Sequence, residues 1–193
     1  DNVGRILWLY GNQTRLTGNI TTSGGLNGSI IGPTSNSKFG NSISADYDFN
    51  KDGINDIVVG SPTAFLTSTA NQYIGLVSII FTDENFGNTH NQTLGNFTVY
   101  NIIGETEYDT SQNSKPTYGG QFGTQISISE SGVLVVSAPE YYRNVPSRIE
   151  GGKIYLIDIP NLVNEITSTT TLTLTQTQTS TETSTETSTE TST

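Results

Sequence analysis

Oxygen-bearing side chains occupy alternate positions of one short segment, at Asp48, Asn50 and Asp52. Alternate residues of an extended chain point the same way, so these three side chains should converge. A backbone reversal directly after Asp52 would bring Asp56 and the main-chain carbonyl of Ile54 to the same point. Carboxylate, amide and carbonyl oxygens are the ligands that hard cations prefer, and Ca²⁺ fits this set best.

The residues around this acidic segment predict the elements that hold it. Gly53 allows the reversal because glycine readily adopts positive φ. Ile43 lies in a run of β-forming residues before the loop, and residues 57–59 form an apolar run that Gly60 and Pro62 close. The pattern predicts two strands joined by the acidic loop.

Two other interpretations of the loop compete with a calcium site. An EF-hand opens in the same way but needs a glutamate at the twelfth loop position, and here that position is Val59, inside a predicted strand. A turn rich in Asp, Asn and Gly that binds no metal is the remaining alternative, since these residues are ordinary turn formers. The four ligands in matching spacing, together with the glycine, favour the calcium loop.

The same stretch resembles a known repeat. Phe39-Gly40, the loop from Asp48 to Asp56, and Gly60-Ser61-Pro62 are together similar to an FG-GAP repeat, the blade unit of the β-propeller in integrin α-subunits. The resemblance implies a hairpin at one face of a blade. It also implies calcium held by the side chains of Asp48, Asn50, Asp52 and Asp56 and by the Ile54 carbonyl.

A second, altered copy follows. Phe122-Gly123 and the apolar run 133–138, which ends at Pro139, repeat the pattern, but a short turn at 130–132 replaces the acidic loop. Calcium is therefore expected in the first unit and not in the second. We expect the segment 97–104 to start this second repeat.

The predicted fold class is all-β, with antiparallel FG-GAP-type propeller blades in an incomplete ring. Two units and the last strand of a preceding one cover roughly residues 1–160, and the β domain is placed at 1–166. Propellers close with about four to eight blades. The chain is therefore a segment of a larger propeller, or other subunits cover its open edges, or the units pack as a β-sandwich. The sequence leaves these three open.

Residues 167–193 have a different composition. Threonine alternates with other residues from Thr169 to Thr179, and a Thr-Ser-Thr-Glu repeat then runs to the end. Such tracts are commonly disordered, O-glycosylated stalks. Strict alternation of a β-favouring residue also suits an extended strand with two faces. One face would carry Leu172 and Leu174, which we predict as assembly residues that donate the tail to an open sheet edge of a neighbouring copy.

Composition excludes several function classes. The net charge is −10, with 8 Lys and Arg against 18 Asp and Glu, which disfavours nucleic-acid binding. There is no cysteine, so disulfides and thiol catalysis are impossible. The one histidine, His90, lies in a polar loop, and the pair Glu105 and Glu107 has no further catalytic signature. No enzyme activity is expected.

Glycosylation and an extracellular location are expected as well. Five Asn-x-Ser/Thr sequons occur, at Asn12, Asn19, Asn27, Asn91 and Asn96. Hydroxyls of the tail repeat are predicted O-glycosylation sites, namely Thr181, Thr183, Ser184, Thr185, Thr187, Ser188 and Thr189. No apolar run is long enough to span a membrane, and the absence of Met, even at position 1, predicts a processed N-terminus or a fragment boundary.

The function hypothesis is an extracellular, glycosylated structural protein, stabilised by calcium, that is a subunit or segment of a surface fibril and self-associates through its tail. The alternative is a cell-adhesion or ligand-binding module, an integrin-like propeller fragment on a glycosylated stalk.

Overall fold

A computed structural model provides the structure of the chain. It describes residues 3–11, 27–65, 74–84, 86, 92–105, 120–140, 142–143, 149–159 and 171–173.

Within these residues the protein contains β-strands and one short 3₁₀ turn, with no α-helix. The strands are β1 (Arg5–Trp8), β2 (Gly28–Ile31), β3 (Ser42–Tyr47), β4 (Asp56–Ser61), β5 (Leu76–Ile80), β6 (Gln92–Thr93), β7 (Val99–Ile103), β8 (Ile126–Ile128), β9 (Val133–Ala138), β10 (Tyr142–Arg143), β11 (Ile149–Glu150), β12 (Lys153–Asp158) and β13 (Thr171–Thr173). The 3₁₀ turn spans Leu94–Asn96. The predicted all-β class with antiparallel, blade-like sheets is confirmed.

The largest sheet has the strand order β13-β7-β5-β4-β3. We call it the second sheet, because the strands of a smaller sheet precede it in the chain. Strands β3, β4, β5 and β7 pair with one another in antiparallel fashion, as in a propeller blade. Its inner strand β4, which lies between β5 and β3, is buried along almost its whole length. Both faces of the sheet are therefore covered, which explains why this strand is a continuous apolar run and not an alternating one.

Two smaller sheets flank the second sheet. The first sheet has the order β1-β2-β6, and the third has the order β12-β9-β8. Strands β10 and β11 form a separate antiparallel pair. In the third sheet a tight hairpin joins β8 to β9, with Ile128 opposite Leu134.

The structure changes two details of the predicted repeat. Segment 97–104 does not start the next unit, because β7 pairs with β5 and completes the second sheet. The preceding unit contributes two strands instead of one, because β1 pairs with β2, with Ile6 opposite Ile30. Residues 102–104 repeat the Ile-Ile-Gly sequence of residues 30–32. This similarity led to the wrong boundary, because the repeated sequence marks the last strand of each unit and not the first.

Two apolar layers lie between the three sheets. One joins the first and second sheets through Ile6, Ile30, Phe39, Val59 and Ile80. The other joins the second and third sheets through residues that include Val58, Val77, Ile79, Tyr100, Leu134, Val136 and Ile157. The sheets are therefore stacked face to face in chain order.

Where two neighbouring sheets meet, a glycine of one sheet contacts the Phe-Gly pair of the next, and we call this contact a corner. Gly4 forms a parallel bridge with Phe39, and Gly75 forms the same bridge with Phe122. The two glycines have φ of +83° and +86°, and a Cβ on either would come within 2.2 Å of the phenylalanine carbonyl oxygen. Only glycine fits there, for both backbone conformation and space.

The outer edges of two sheets each receive a short parallel strand. Strand β6 pairs with β2, with Gln92 opposite Ile30. Strand β13 pairs with β7 of the same chain, with Leu172 opposite Ile102. This part of the tail thus lies beyond the expected domain end at residue 166 and still joins the β domain. The boundary itself stays a prediction.

Candidate metal centre

The acidic loop connects β3 to β4, as predicted. The register between these strands shifts between Ser44 and Tyr47, so a bulge precedes the loop. Inside the loop Lys51 and Gly53 have φ of +60° and +92°. The reversal expected at Gly53 is therefore present, and a second left-handed residue tightens the turn.

The oxygens of the first three predicted ligands are turned into the loop. Asp48 accepts hydrogen bonds from the amides of Asp52 and Gly53, at 3.2 and 2.7 Å. Asn50 Oδ1 also accepts from the Asp52 amide, at 3.1 Å. Asp52 Oδ1 accepts from the amide of Ile54 at 2.8 Å. These bonds fix the three side chains against the turn that they belong to.

Asp56 has a different environment. Its side chain is fully buried, and its two oxygens accept hydrogen bonds from the amides of Phe49 at 2.8 Å and Thr82 at 3.0 Å. Thr82 follows β5, so this one carboxylate links the acidic loop to the end of the neighbouring strand. The link spans 26 residues of sequence.

Burial raises the pKa of Asp56 from 3.8 to about 6. Hydrogen bonds from the amides of Thr82, Phe49 and Asn50 act in the opposite direction on this pKa, and the negative charge of Asp48 raises it further. A cation at the loop would favour the ionised form of the Asp48 and Asp56 carboxylates.

The donor set matches a hard cation in type. Each carboxylate oxygen that accepts one N–H retains another lone pair, so these hydrogen bonds and metal ligation are compatible. The residues that would hold Ca²⁺ are those predicted, including the carbonyl of Ile54. Within the described residues no three Asp, Glu or His side chains are grouped as a metal site. Calcium binding therefore stays a prediction.

The second unit differs at the corresponding turn, as expected. Ser129 closes the β8–β9 hairpin, because its Oγ accepts the amide of Val133 at 3.0 Å and its carbonyl accepts the amide of Gly132 at 2.9 Å. The ring of Tyr47 lies against Gly132, whose Cβ position is 2.5 Å from the Tyr47 Cζ. A tyrosine next to the first unit's loop thus occupies the space beside the second unit's turn.

Two predicted N-glycosylation sites lie in described parts of the chain. Asn96 is exposed and donates a hydrogen bond from Nδ2 to Gln92 at 2.5 Å. Asn27 is half-buried, and its Oδ1 accepts the amide of Tyr10 at 2.7 Å. Several other predicted residues fall outside the described residues, namely Asn12, Asn19, His90, Asn91, Glu107, Leu174, and the tail hydroxyls at 181, 183, 184, 185, 187, 188 and 189.

One carboxylate considered for catalysis takes part in an ion pair. Glu105 Oε2 lies 2.7 Å from Lys153 Nζ, and the side chains are 12% and 18% exposed. Lys153 also lies over the ring of Tyr155, 4.7 Å from its centroid. The pair joins the end of β7 to the start of β12.

Sequence reasoning missed the amide partners of Asp56 and the corner glycines. Thr82 lies far along the chain from the loop, and nothing in its residue type marks it. The glycines did carry a signal, because a glycine directly precedes β1 and β5, at Gly4 and Gly75, and another stands next to β12, at Gly152.

The family comparison agrees with this geometry. Residues 39–80, which include the acidic loop and strands β3, β4 and β5, match the family model of the FG-GAP repeat. The chain contains an FG-GAP repeat. The all-β fold of the described residues, with antiparallel, blade-like sheets, agrees with this match, and FG-GAP repeats are typical of extracellular or surface proteins. The search of curated proteins found no match. None of the described residues forms a helix long and apolar enough to cross a membrane.

Proposed function

We propose that this FG-GAP protein is a calcium-stabilised, glycosylated extracellular structural protein, a subunit or segment of a surface fibril in which copies are joined through their tails. The observation that carries the proposal is the pairing of β13 with β7. Three residues of the tail already lie on the outer edge of the second sheet, with Leu172 opposite Ile102.

The acceptor site for this strand is a regular feature of the repeat. Ile30 of β2 and Ile102 of β7 both lie two residues before a glycine that ends the strand's apolar run, Gly32 or Gly104. Each of them faces a short parallel strand. Parallel pairing uses main-chain groups, so the edge presents the same hydrogen-bonding groups to a tail strand from a second copy as to its own. Exchange of one identical element between copies is a known route to assembly.

The acidic loop supports a structural role for the cation. The loop lies at one end of the β3–β4 hairpin, and Asp56 ties it to Thr82 beyond β5. A bound Ca²⁺ would supply positive charge that compensates the carboxylates of Asp48, Asp52 and Asp56. Its effect would be to stabilise the fold, because binding only the folded state increases the free energy of unfolding.

The test replaces Leu172 and Thr173 by proline in the chain of residues 1–193. Proline removes a backbone donor and restricts φ, so a strand that contains it cannot pair normally at the edge. We expect the variant to fold, with an unchanged circular-dichroism spectrum, and to form no filaments by electron microscopy. The matched control replaces Thr191 and Ser192 by proline. Filaments in the Leu172 and Thr173 variant would contradict the proposal.

An adhesion or ligand-binding function is the second candidate, favoured by the match to a repeat of integrin-like propellers. It predicts a protein that stays monomeric and binds a protein ligand. Sedimentation of the purified chain separates the two, because a fibril subunit yields polymers and an adhesion module does not.

A further inference from the structure

The acidic loop contains the one Asp-Gly pair of the chain, Asp52-Gly53. In such a pair the main-chain nitrogen of the glycine can attack the side-chain carboxyl of the aspartate before it, because no Cβ shields that nitrogen. The attack needs an accessible backbone. Both residues are exposed, Gly53 has φ of +92°, and a Cβ placed on Gly53 would meet nothing within 4 Å.

Hydrogen bonds orient and polarise the carboxyl of Asp52. Its Oδ1 accepts the amide of Ile54 at 2.8 Å, so the carboxyl folds back across the Gly53 peptide unit that lies between the two residues. Its Oδ2 accepts a hydrogen bond from Asn50 Nδ2 at 2.9 Å. Both donors stabilise the negative charge that develops on the carboxyl oxygens when a nucleophile adds to Cγ.

The attacking nitrogen has a proton acceptor beside it. The N–H of Gly53 donates to Asp48 Oδ2 at 2.7 Å. The other oxygen of Asp48 accepts the Asp52 amide at 3.2 Å, which fixes the carboxylate on this side of the turn. An amide nitrogen becomes nucleophilic as its proton is withdrawn, so a carboxylate in this position can act as a general base.

We propose that Asp52-Gly53 is a site of spontaneous isomerisation to isoaspartate, with Asp48 as the general base. The Gly53 nitrogen forms a bond to Asp52 Cγ while its proton passes to Asp48. The Asp52 carboxyl, protonated from solvent, releases one oxygen as water, and a five-membered succinimide results. Water then adds to the main-chain carbonyl carbon of Asp52. The bond from that carbon to the Gly53 nitrogen breaks, and the nitrogen, still bonded to Cγ, regains a proton.

The product has the same mass but a different loop. The main chain now runs through Cβ and Cγ of residue 52 and is longer by one methylene, and the former main-chain carboxyl becomes the side chain. The regular spacing of oxygens at Asp48, Asn50 and Asp52 is lost with it. The reaction requires neither a metal nor a second copy of the chain, so it is independent of the proposed function.

Asn27-Gly28 provides a comparison within the same chain, because an Asn-Gly pair forms the same succinimide with loss of ammonia. Here the fold opposes the reaction. Gly28 is buried in β2 opposite Trp8, and Asn27 Oδ1 accepts the Tyr10 amide at 2.7 Å. We therefore expect residue 52 to react in the folded chain and residue 27 to be retained. Denaturing urea should reverse this order, since an amide releases ammonia more readily than an ionised carboxyl releases water.

The experiment incubates the chain of residues 1–193, produced without glycosylation, in chelator at fixed pH and physiological temperature. Peptide separation and electron-based fragmentation in the mass spectrometer distinguish isoaspartate from aspartate, and the succinimide is lighter by one water. We expect isoaspartate to accumulate at residue 52. Asp48→Asn should slow its formation by about tenfold or more, because the general base is lost.

Two control variants accompany Asp48→Asn. Asp46→Asn removes the same charge from the neighbouring strand β3 and should leave the rate unchanged. Asp52→Glu keeps the carboxylate but would have to form a six-membered ring, so it should give no product. Circular dichroism confirms that each variant is folded. Unchanged aspartate at residue 52, equal reaction at residues 27 and 52 in the folded chain, or an Asp48→Asn rate equal to that of the natural chain would overturn the proposal.

Discussion

Gly75 and the main chain of Phe122 are in such close contact that a methyl group cannot be placed between them. A Cβ on Gly75 would lie 2.2 Å from the Phe122 carbonyl oxygen and 2.6 Å from its nitrogen. Gly4 and Phe39 have the same relationship, with the same two distances. The junctions between sheets are thus fixed by backbone contact as well as by apolar side chains.

Replacing Gly75 by alanine should destabilise the protein strongly. The positive φ should lower the free energy of unfolding by about 1 to 2 kcal/mol. The clash with the Phe122 backbone should lower it by about 1 to 3 kcal/mol more. Urea unfolding measures the change. Gly95→Ala is the matched control, because a Cβ there meets nothing within 4 Å. Equal stability of the two variants would show that the corner can relax.

Removing calcium should lower the melting temperature. Binding at 100 times Kd adds about 2.7 kcal/mol of stability, and each kcal/mol corresponds to roughly 2 to 4 °C for a chain of this size. Asp52→Ala should abolish the response to chelator in thermal melts. Asp46→Ala is the control, since this carboxylate lies in β3 and accepts a hydrogen bond from Ser44. A melting temperature indifferent to chelator would exclude the calcium site.

The stability of the calcium-free protein should depend on pH through Asp56. Its pKa is raised to about 6 in the fold, so the folded state binds more protons than the unfolded state between about pH 4 and 6. The contribution of this group is therefore largest below pH 4 and is lost as the pH rises through about 6. Urea unfolding in chelator, compared between the natural chain and Asp56→Asn, isolates this trend.

Calcium should weaken that pH dependence. A bound cation favours the ionised carboxylate and lowers its pKa towards or below the ordinary value. The difference between the natural chain and Asp56→Asn across pH 4 to 6 should then shrink when calcium is added. An identical pH profile with and without calcium would indicate that Asp56 is not a ligand.

Glycan occupancy should be higher at Asn96 than at Asn27. Asn96 is exposed at the end of a short 3₁₀ turn, whereas Asn27 is half-buried and its side chain accepts a hydrogen bond from the Tyr10 amide. Mass spectrometry of peptides from native material measures both. The single variants Asn96→Gln and Asn27→Gln identify the peptides, and unmodified asparagine at both positions would contradict the glycoprotein hypothesis for the described sites.

The sequence predicted the strands and the acidic loop because these features are local. The apolar run at 57–59, the alternating oxygens and Gly53 all lie within a short segment and have direct counterparts in β4 and the turn. The repeat boundary was wrong because it depends on a non-local choice, the pairing of β7 with β5. The link from Asp56 to Thr82 was missed for the same reason, since the two residues meet only after β5 has paired with β4.

The tail shows that a segment of low sequence complexity can pair at a sheet edge. Thr171–Thr173 lies in a threonine-rich tract, yet it pairs with β7, because main-chain pairing at an edge requires little of the side chains. The corresponding strand β6 has the unrelated sequence Gln-Thr. Threonine alternation predicted an extended strand in the tail, whereas nothing in the residue types of Gln92 and Thr93 predicted β6.

The glycine–phenylalanine corners have a consequence for how such a protein can diverge. Apolar residues on the sheet faces can be exchanged for one another with modest loss when volume is kept, but no other residue can replace the corner glycines. Over many substitutions the faces should drift while the corners stay fixed. Relatives of this chain should therefore be identifiable by the spacing of a few glycines long after the rest of the sequence similarity has been lost.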